Sequence, residues 1–229
     1  MIDLHTHSLF SDGDLLPSEL VRRAEKIGYQ AVAITDHADS SNLDWVVPRI
    51  VRVCAELSGR WRIRALPGIE LTHLPPDMIA PLAAQARVLG AKIVVVHGET
   101  LVEPVPPGTN RKAIEAGVDI LAHPGLISEE EAALARERKV FLEISARKGH
   151  SLANGHVARL AQRLGASLVL NTDSHSPEDL ISGEHALKVV LGAGLGANDF
   201  EEMLRNSREI VARSSGTTPP ALEPRGPAS

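Results

Sequence analysis

Cysteine, aromatic residues and long apolar runs are scarce in this chain. One of its 229 residues is cysteine, and 3% are aromatic. The single cysteine, Cys54, has no partner for an internal disulfide, which is consistent with a reducing compartment. No apolar run approaches the roughly 20 residues that span a membrane, and a strand pattern begins where a signal peptide would lie. The sequence therefore predicts a cytoplasmic protein with no membrane partner.

Basic charge is scarce as well. The 24 Lys and Arg residues are outnumbered by 29 Asp and Glu residues, and the formal charge at pH 7 is −5. Binding to nucleic acid through a broad surface needs the opposite balance, so we expect no extended nucleic-acid surface. Ala, Val, Leu and Ile are abundant instead, and they suit helices packed on a buried parallel sheet. The sequence does not indicate the oligomeric state.

Strand and helix patterns alternate along residues 1–213. The first strand carries a histidine pair, and six further strand patterns follow at 31–35, 62–66, 92–96, 119–122, 140–144 and 167–171. Helical patterns separate them: Pro17 opens one, Gly28 stops it, and Ser128 with Glu131 forms a capping box for another. Seven alternations in one series predict a closed parallel α/β barrel. An open doubly wound sheet is the alternative, although no glycine-rich phosphate loop follows the first strand.

The last residues differ in composition from the rest. From Ser214 onward, Ser, Thr, Pro and Gly dominate without periodicity, which is typical of disordered segments. We therefore expect one barrel domain over residues 1–213 and a disordered tail over residues 214–229.

The chain opens with the run Asp3-Leu4-His5-Thr6-His7. Side chains alternate along a strand with a period of two, so the two imidazoles point to the same side. The strand ends there, and Asp12 follows in the next loop. Two imidazoles with a nearby carboxylate indicate a metal site, whereas the histidine pair alone fits an exposed polar strand end equally well.

Further histidines and carboxylates recur at the C-terminal ends of the predicted strands or just beyond them. Together with the first pair they make nine candidate metal ligands: His5, His7, Asp12, His37, Glu70, His97, His123, Asp173 and His175. In a (β/α) barrel these strand ends meet at the face that carries the active site. Such ligands suit zinc, manganese and iron, and one ion needs about three or four of them. The set predicts two or three divalent ions with a bridging carboxylate, a site type that activates water and neutralises phosphoryl oxygens.

Other polar residues flank this face. Asp36 is expected to accept a hydrogen bond from a ligand, and Glu143 either orients a ligand or is structural. His73 is expected in a solvated loop and His185 on a helix surface. The candidates for substrate binding are Arg147, Arg111, Lys148 and His150. A guanidinium can donate two hydrogen bonds to phosphate oxygens. Arg147 lies three residues past a strand end, so we expect it to be the main residue that holds a phosphate (the phosphate clamp), with Arg111 second.

Five runs of the sequence resemble motifs of the PHP (polymerase and histidinol phosphatase) superfamily, in that family's order. They are Asp3-Leu4-His5-Thr6-His7, Thr35-Asp36-His37, Gly68-Ile69-Glu70, Ala122-His123-Pro124-Gly125 and Asp173-Ser174-His175. The resemblance extends from Met1 to about Ala212. It implies a distorted seven-stranded (β/α)7 barrel, with two or three metal ions at its mouth.

Carried over position by position, the resemblance implies three cation sites that share a bridging carboxylate. The ligand sets would be His5, His7, Glu70 and Asp173 for the first ion, Glu70, His97 and His123 for the second, and Asp12, His37 and His175 for the third. Some histidinol-phosphatase-type members place a histidine in the first loop, where this chain has Asp12 in a Ser-Asp-Gly turn.

The resemblance also implies a metal-dependent phosphoesterase. The expected substrate is a small phosphomonoester similar to histidinol phosphate; a nucleotide or oligonucleotide is the alternative within the same chemistry. The residues expected to carry catalysis are His5, His7, Glu70, His123, Asp173 and His175. Two interpretations from other classes are a non-catalytic metal-binding module that regulates a partner, and an amidohydrolase-like barrel that cleaves C–N bonds.

Overall fold

Eight strands and eight α-helices follow one another along residues 1–214, which are the residues that this computed structural model describes. The strands are β1 (Ile2–Asp3), β2 (Ala31–Ile34), β3 (His37–Ala38), β4 (Arg64–Leu71), β5 (Ile93–His97), β6 (Ile120–Ala122), β7 (Phe141–Ser145) and β8 (Leu168–Asn171). The helices are α1 (Pro17–Lys26), α2 (Leu43–Leu57), α3 (Ile79–Val88), α4 (Thr109–Ala116), α5 (Glu129–Arg138), α6 (Asn154–Leu164), α7 (Gly183–Gly192) and α8 (Ala197–Ser214). Short 3₁₀ helices lie at Pro76–Met78, His150–Ala153 and Pro177–Asp179.

The strands form a parallel sheet that curls until its first and last members meet. Their order is β1-β2-β4-β5-β6-β7-β8, and β3 pairs with the C-terminal part of β4. A parallel bridge between Thr6 and Ser174 joins the two ends of the sheet. Backbone bonds from His7 N to Ser174 O (2.8 Å) and from Asp173 N to His5 O (2.9 Å) strengthen this closure. The predicted distorted seven-stranded (β/α)7 barrel is confirmed.

Side chains that point into the barrel change in character along each strand. The inner apolar cluster contains Ile2, Leu4, Ala31, Ala33, Leu66, Ile93, Val95, Ile120, Ala122, Phe141 and Val169, together with Ile210 and Val211 of α8. Two residues further along, the inward position is ionisable: Val95 is followed by His97, and Phe141 by Glu143. Because side chains alternate with a period of two, the ionisable groups collect at the C-terminal mouth, above an apolar floor.

The strand that carries Glu70 is longer than the sequence predicts. β4 runs over Arg64–Leu71, whereas the predicted strand covers residues 62–66 and stops before Pro67 and Gly68. Both neighbours, β2 and β5, pair with this segment. A Cβ at Gly68 would lie 2.6 Å from Thr35 Cγ2, so glycine permits the close approach of the two strands. Pairing on both sides overrides the turn preference of the Pro-Gly pair.

Several helix ends follow the local signals in the sequence. Ser128 and Glu131 form the predicted capping box at the start of α5. Helix α1 begins at Pro17, and Gly28, with φ of +94°, follows its last turn. The starts of α1 and α5 mark where the loops after β1 and β6 end at the mouth of the barrel.

The C-terminal boundary differs slightly from the prediction. Helix α8 includes Ser214, which the sequence assigns to the tail. The rest of the predicted tail, residues 215–229, lies outside the described residues, so the division into a barrel and a disordered tail stays a prediction. No helix within residues 1–214 is long and apolar enough to cross a membrane.

Candidate metal centre

Glu70 lies at the centre of the ionisable residues at the barrel mouth. Its side chain is fully buried, with Oε1 3.3 Å from His5 Nε2 and Oε2 3.5 Å from His7 Nε2. Asp173 Oδ1 lies 3.6 and 3.2 Å from the same two nitrogens. The structure therefore brings together the four residues that the resemblance assigns to the first ion.

The second predicted ligand set adjoins the first. His123 Nε2 lies 3.7 Å from Glu70 Oε1 and 3.7 Å from Asp173 Oδ2. The ring centroids of His97 and His123 are 4.4 Å apart. Glu70, which the resemblance assigns to both sets, thus lies against histidines of each, and so does Asp173.

The third predicted set surrounds Asp12, which the loop after β1 carries. Its carboxylate lies 3.5 Å from His37 Nε2 and 3.2 Å from His175 Nε2. His7 belongs to this neighbourhood too: its Nδ1 is 4.0 Å from Asp12 Oδ1, and its ring stacks on that of His175 at 4.1 Å. All nine predicted ligands thus gather at one end of the barrel, although the sequence did not anticipate the contact of His7 with the third set.

The buried polar atoms of this cluster lack partners in the protein. Within residues 1–214, the buried side-chain N and O atoms without a hydrogen bond are His5 Nε2, His7 Nδ1 and Nε2, both Glu70 oxygens, His97 Nδ1 and His123 Nδ1. A buried unsatisfied polar group costs about 1–3 kcal/mol, and more when it is charged. Every one of these atoms belongs to a predicted ligand, and imidazole nitrogen with carboxylate oxygen suits zinc, manganese and iron. Divalent cations therefore fit this cluster.

Glu143 supports the cluster from the barrel interior. Its Oε1 lies 2.9 Å from His5 Nδ1 and accepts a hydrogen bond from Asn171 Nδ2 (2.9 Å). Its Oε2 accepts one from His123 N (3.2 Å). A hydrogen bond at one ring nitrogen fixes the imidazole and leaves the other nitrogen free for a cation. Of the two roles that the sequence allows for Glu143, these contacts support orientation of a ligand.

Asp36 accepts hydrogen bonds from the loop after β1 and not from the side chain of a predicted ligand. Its Oδ1 accepts hydrogen bonds from Ser8 N and Ser11 Oγ, both at 2.7 Å, and its Oδ2 accepts one from Ser8 Oγ at 2.7 Å. The expected hydrogen bond from a ligand is replaced by these contacts, because Asp36 lies under the loop that carries Asp12. Its influence on the third ligand set therefore passes through the backbone of that loop.

A cavity of about 380 Å³ opens above the cluster. Arg147 and His150, two of the four predicted substrate-binding residues, line it. Arg111 and Lys148 do not, and Arg111 Nε instead donates a hydrogen bond to Glu115 Oε1 at 3.2 Å. The structure does not bring these two to the cavity, and their roles in substrate binding stay predictions.

The loop between β5 and α4 adds residues that sequence reasoning missed. Glu103 Oε2 lies 3.0 Å from both His97 Nε2 and His73 Nε2. Thr100 Oγ1 lies 2.7 Å from His150 Nδ1. The sequence signal that could have found them is their position in a loop that follows a strand end at the same face. His73 is exposed as predicted, yet its φ of 51° is unusual for a residue with a side chain, and its ring is engaged by Glu103.

Comparison with known proteins agrees with this geometry. Residues 3–148 match the PHP domain family. The chain belongs to this family. An uncharacterized protein of Methanocaldococcus jannaschii is 49% identical over 214 residues, which is 92% of this chain and 98% of that protein. A "Probable phosphatase" of Thermoanaerobacter sp. is 27% identical over 218 residues, which is 85% of this chain and 87% of that protein.

The fold has a counterpart among solved structures. A chain in the cryo-EM structure of archaeal ribonuclease P with mature tRNA superposes on the PHP-family chain with a TM-score of 0.71, over 100% of both chains. The two sequences are 16% identical, so the likeness shows a shared fold.

The carboxylates at the barrel mouth of this PHP-family chain raise the pKa of His5. Burial alone would lower the pKa of this imidazole. The nearby Glu70, Glu143 and Asp173 outweigh that effect and raise the pKa well above its ordinary value. Burial conversely raises the pKa of Asp173 to about 7. Without cations, the cluster therefore retains protons around its buried carboxylates.

The other histidines divide into two kinds. Burial works against the charged forms of His37 and His97, but the carboxylates beside them raise both pKa values. Burial and neighbouring imidazoles hold the pKa values of His7 and His123 well below the ordinary value. Some ligands are thus already neutral in the cation-free protein, whereas others must lose a proton before they can bind a cation.

Zinc binding at pH 7 should release protons. The raised pKa values of His5, His37 and His97 favour the protonated forms of these imidazoles in the cation-free protein, and a cation needs their neutral form. Titration calorimetry in two buffers of different ionisation enthalpy counts the protons. We expect about one or more per chain at pH 7, with the number falling as the pH rises through these pKa values. Zinc binding without proton release at pH 7 would contradict this account of the cluster.

Proposed function

We propose that this metal-dependent phosphoesterase of the PHP family hydrolyses a small phosphomonoester similar to histidinol phosphate, at a cluster of two or three divalent cations. The observation that carries the proposal is the set of buried nitrogen and oxygen atoms without hydrogen-bond partners, all on predicted ligands. They lie beneath a cavity that is open to solvent. A substrate can therefore reach the point where the cations would be held.

The nine predicted ligands would hold the cations, with Glu70 common to two of the three sets. Cations in such a cluster activate a water nucleophile and neutralise the oxygens of a phosphoryl group. The protein contributes the orientation of the ligands. Glu143, which bonds to His5 Nδ1 and His123 N, fixes two of them from inside the barrel.

Arg147 is suited to hold the outer oxygens of a phosphate. Its Nη1 donates a hydrogen bond to Asp173 O (3.1 Å) and lies 3.7 Å from Asp179 Oδ2. These contacts hold the guanidinium at the wall of the cavity, where its side chain is 29% exposed. A planar guanidinium can then direct two N–H groups to phosphate oxygens.

The cavity favours a small substrate over a nucleic-acid strand. Its volume of about 380 Å³ is within the range of about 300–1,000 Å³ usual for small-molecule sites. Among the residues of 1–214 that line it, Arg147 is the only lysine or arginine. A polynucleotide substrate would need a track of several cationic side chains along its phosphates. The charge distribution therefore supports a single phosphate as the group that is recognised.

A panel of substrates tests this proposal. Purified protein loaded with zinc or manganese is assayed on phosphomonoesters, including histidinol phosphate and mononucleotides, and on dinucleotides and amides. We expect turnover of a phosphomonoester that a chelator abolishes and added cation restores. Glu70→Gln, which keeps the size of the side chain but removes its charge, should abolish it as well. Turnover of only dinucleotides or amides would establish a rival activity, and chelator-resistant turnover would refute the cation-dependent mechanism.

The role of Arg147 has its own test. Arg147→Ala should lower kcat/KM on the best phosphomonoester at least tenfold, equivalent to about 1.4 kcal/mol. The metal content should not change, because arginine is not a ligand. The matched control is Arg52→Ala on α2, whose side chain is 75% exposed. If Arg147→Ala stays within a factor of two of the wild-type kcat/KM, the residue is not a phosphate clamp.

A further inference from the structure

His150 lies against the second predicted ligand set, although it is not one of the nine motif ligands. It begins the 3₁₀ helix after β7 and is 6% exposed. Its ring stacks on that of His123, with centroids 4.0 Å apart and an interplanar angle of 17°, and lies 5.8 Å from the ring of His97. One ring nitrogen of each of these three histidines lies within 4.8 Å of the others. Three buried imidazoles thus converge on one point.

The orientation of the His150 ring is fixed from the loop between β5 and α4. Thr100 Oγ1 lies 2.7 Å from His150 Nδ1, and Thr100 is itself 7% exposed. This hydrogen bond engages one ring nitrogen and turns the other, Nε2, towards the cluster. Histidines that bind metals commonly have their second nitrogen held in this way.

The surroundings of His150 Nε2 suit a cation. Asp173 Oδ2 lies 3.7 Å and Glu103 Oε1 3.5 Å from this nitrogen. Both distances exceed those of a good hydrogen bond between nitrogen and oxygen. When Nδ1 donates the hydrogen bond to Thr100 Oγ1, the lone pair of Nε2 faces both carboxyl groups, and a cation between them would stabilise this arrangement.

We propose that His150 is a tenth cation ligand, which completes a site with His97 and His123, and that Thr100 is its positioning residue. The proposal rests on the cation dependence of the proposed function and extends its ligand set. A site of three imidazoles suits zinc or cobalt. It also gives the 3₁₀ helix His150–Ala153 and the loop between β5 and α4 a direct part in cation binding.

The alternative is that His150 contacts only the substrate, as the sequence predicts. The two roles differ in what the loss of the imidazole changes. A ligand affects cation binding in the absence of substrate. A residue that touches only substrate alters KM and leaves cation binding as it is.

The test is a titration of cation-free protein with cobalt(II), without substrate. Cobalt bound per chain is measured by elemental analysis after gel filtration, its affinity by competition with a chelator, and its ligand field by visible absorption. The variants are His150→Ala and Thr100→Val, the second of which removes the hydroxyl and keeps the shape. The matched control is His185→Ala, at an exposed position on α7.

We expect His150→Ala to lose one cobalt ion or to bind it at least tenfold more weakly, with a changed absorption band. Thr100→Val should weaken the same ion by about 10–100-fold, as is typical when a residue that orients a ligand is replaced. His185→Ala should behave as the wild type. If His150→Ala is not folded by circular dichroism, the result for Thr100→Val decides.

The proposal is overturned if His150→Ala binds cobalt with wild-type stoichiometry, affinity and spectrum. It is equally overturned if that variant does not fold and Thr100→Val binds cobalt as the wild type does. Neither result bears on whether the wild-type protein cleaves a phosphomonoester. Conversely, a wild type that binds cobalt but hydrolyses no phosphomonoester would refute the proposed substrate and leave the assignment of His150 standing.

Discussion

The structure depends on a carboxylate that is buried without hydrogen bonds. Glu70 is fully buried and neither of its side-chain oxygens has a hydrogen bond of good geometry. Imidazole nitrogens of His37, His5 and His7 lie 2.8, 3.3 and 3.5 Å from these oxygens. A buried charge is costly unless it is paired and hydrogen-bonded. Burial opposes the charged forms of His5 and His37, but Glu70 and the other carboxylates raise both pKa values, so these imidazoles supply part of the compensation. Burial and neighbouring imidazoles hold the pKa of His7 well below its ordinary value, so His7 does not contribute. Divalent cations can supply the charge that the protein lacks at this point.

The buried polar side chains directly below the cluster have hydrogen-bond partners, unlike those of the cluster itself. Asn171 accepts a hydrogen bond from Leu4 N (2.8 Å) and donates one to Glu143. Asp3 accepts bonds from Thr172 N (3.2 Å) and Thr172 Oγ1 (2.6 Å). The barrel can therefore satisfy its buried polar groups where it has no ligand to bind. In the part of the chain that the structure describes, the buried side-chain atoms without hydrogen-bond partners all belong to the predicted ligands above this layer. Their position indicates a binding site and not poor packing.

The barrel and most of the candidate ligands could be predicted from the sequence. Side chains alternate along a strand with a period of two, so the inward positions at the C-terminal strand ends meet at one end of the barrel. That rule is sufficient for Glu70 and His97, which end paired strands. It does not reach Glu103, which lies in a proline-rich loop beyond the end of β5. The sequence places this loop at the mouth of the barrel but does not determine which of its side chains turn inward. Arg111 lies on the predicted face, yet its guanidinium bonds to Glu115 (3.2 Å), an interaction between side chains that strand periodicity cannot anticipate.

The central claim is that the buried imidazoles and carboxylates form a site for more than one cation. Elemental analysis of gently purified protein, before and after incubation with zinc or manganese, measures this directly. The account predicts two to three equivalents of divalent metal per chain, from about three or four protein ligands for each ion and shared carboxylates. Less than one equivalent, even after incubation, would contradict it.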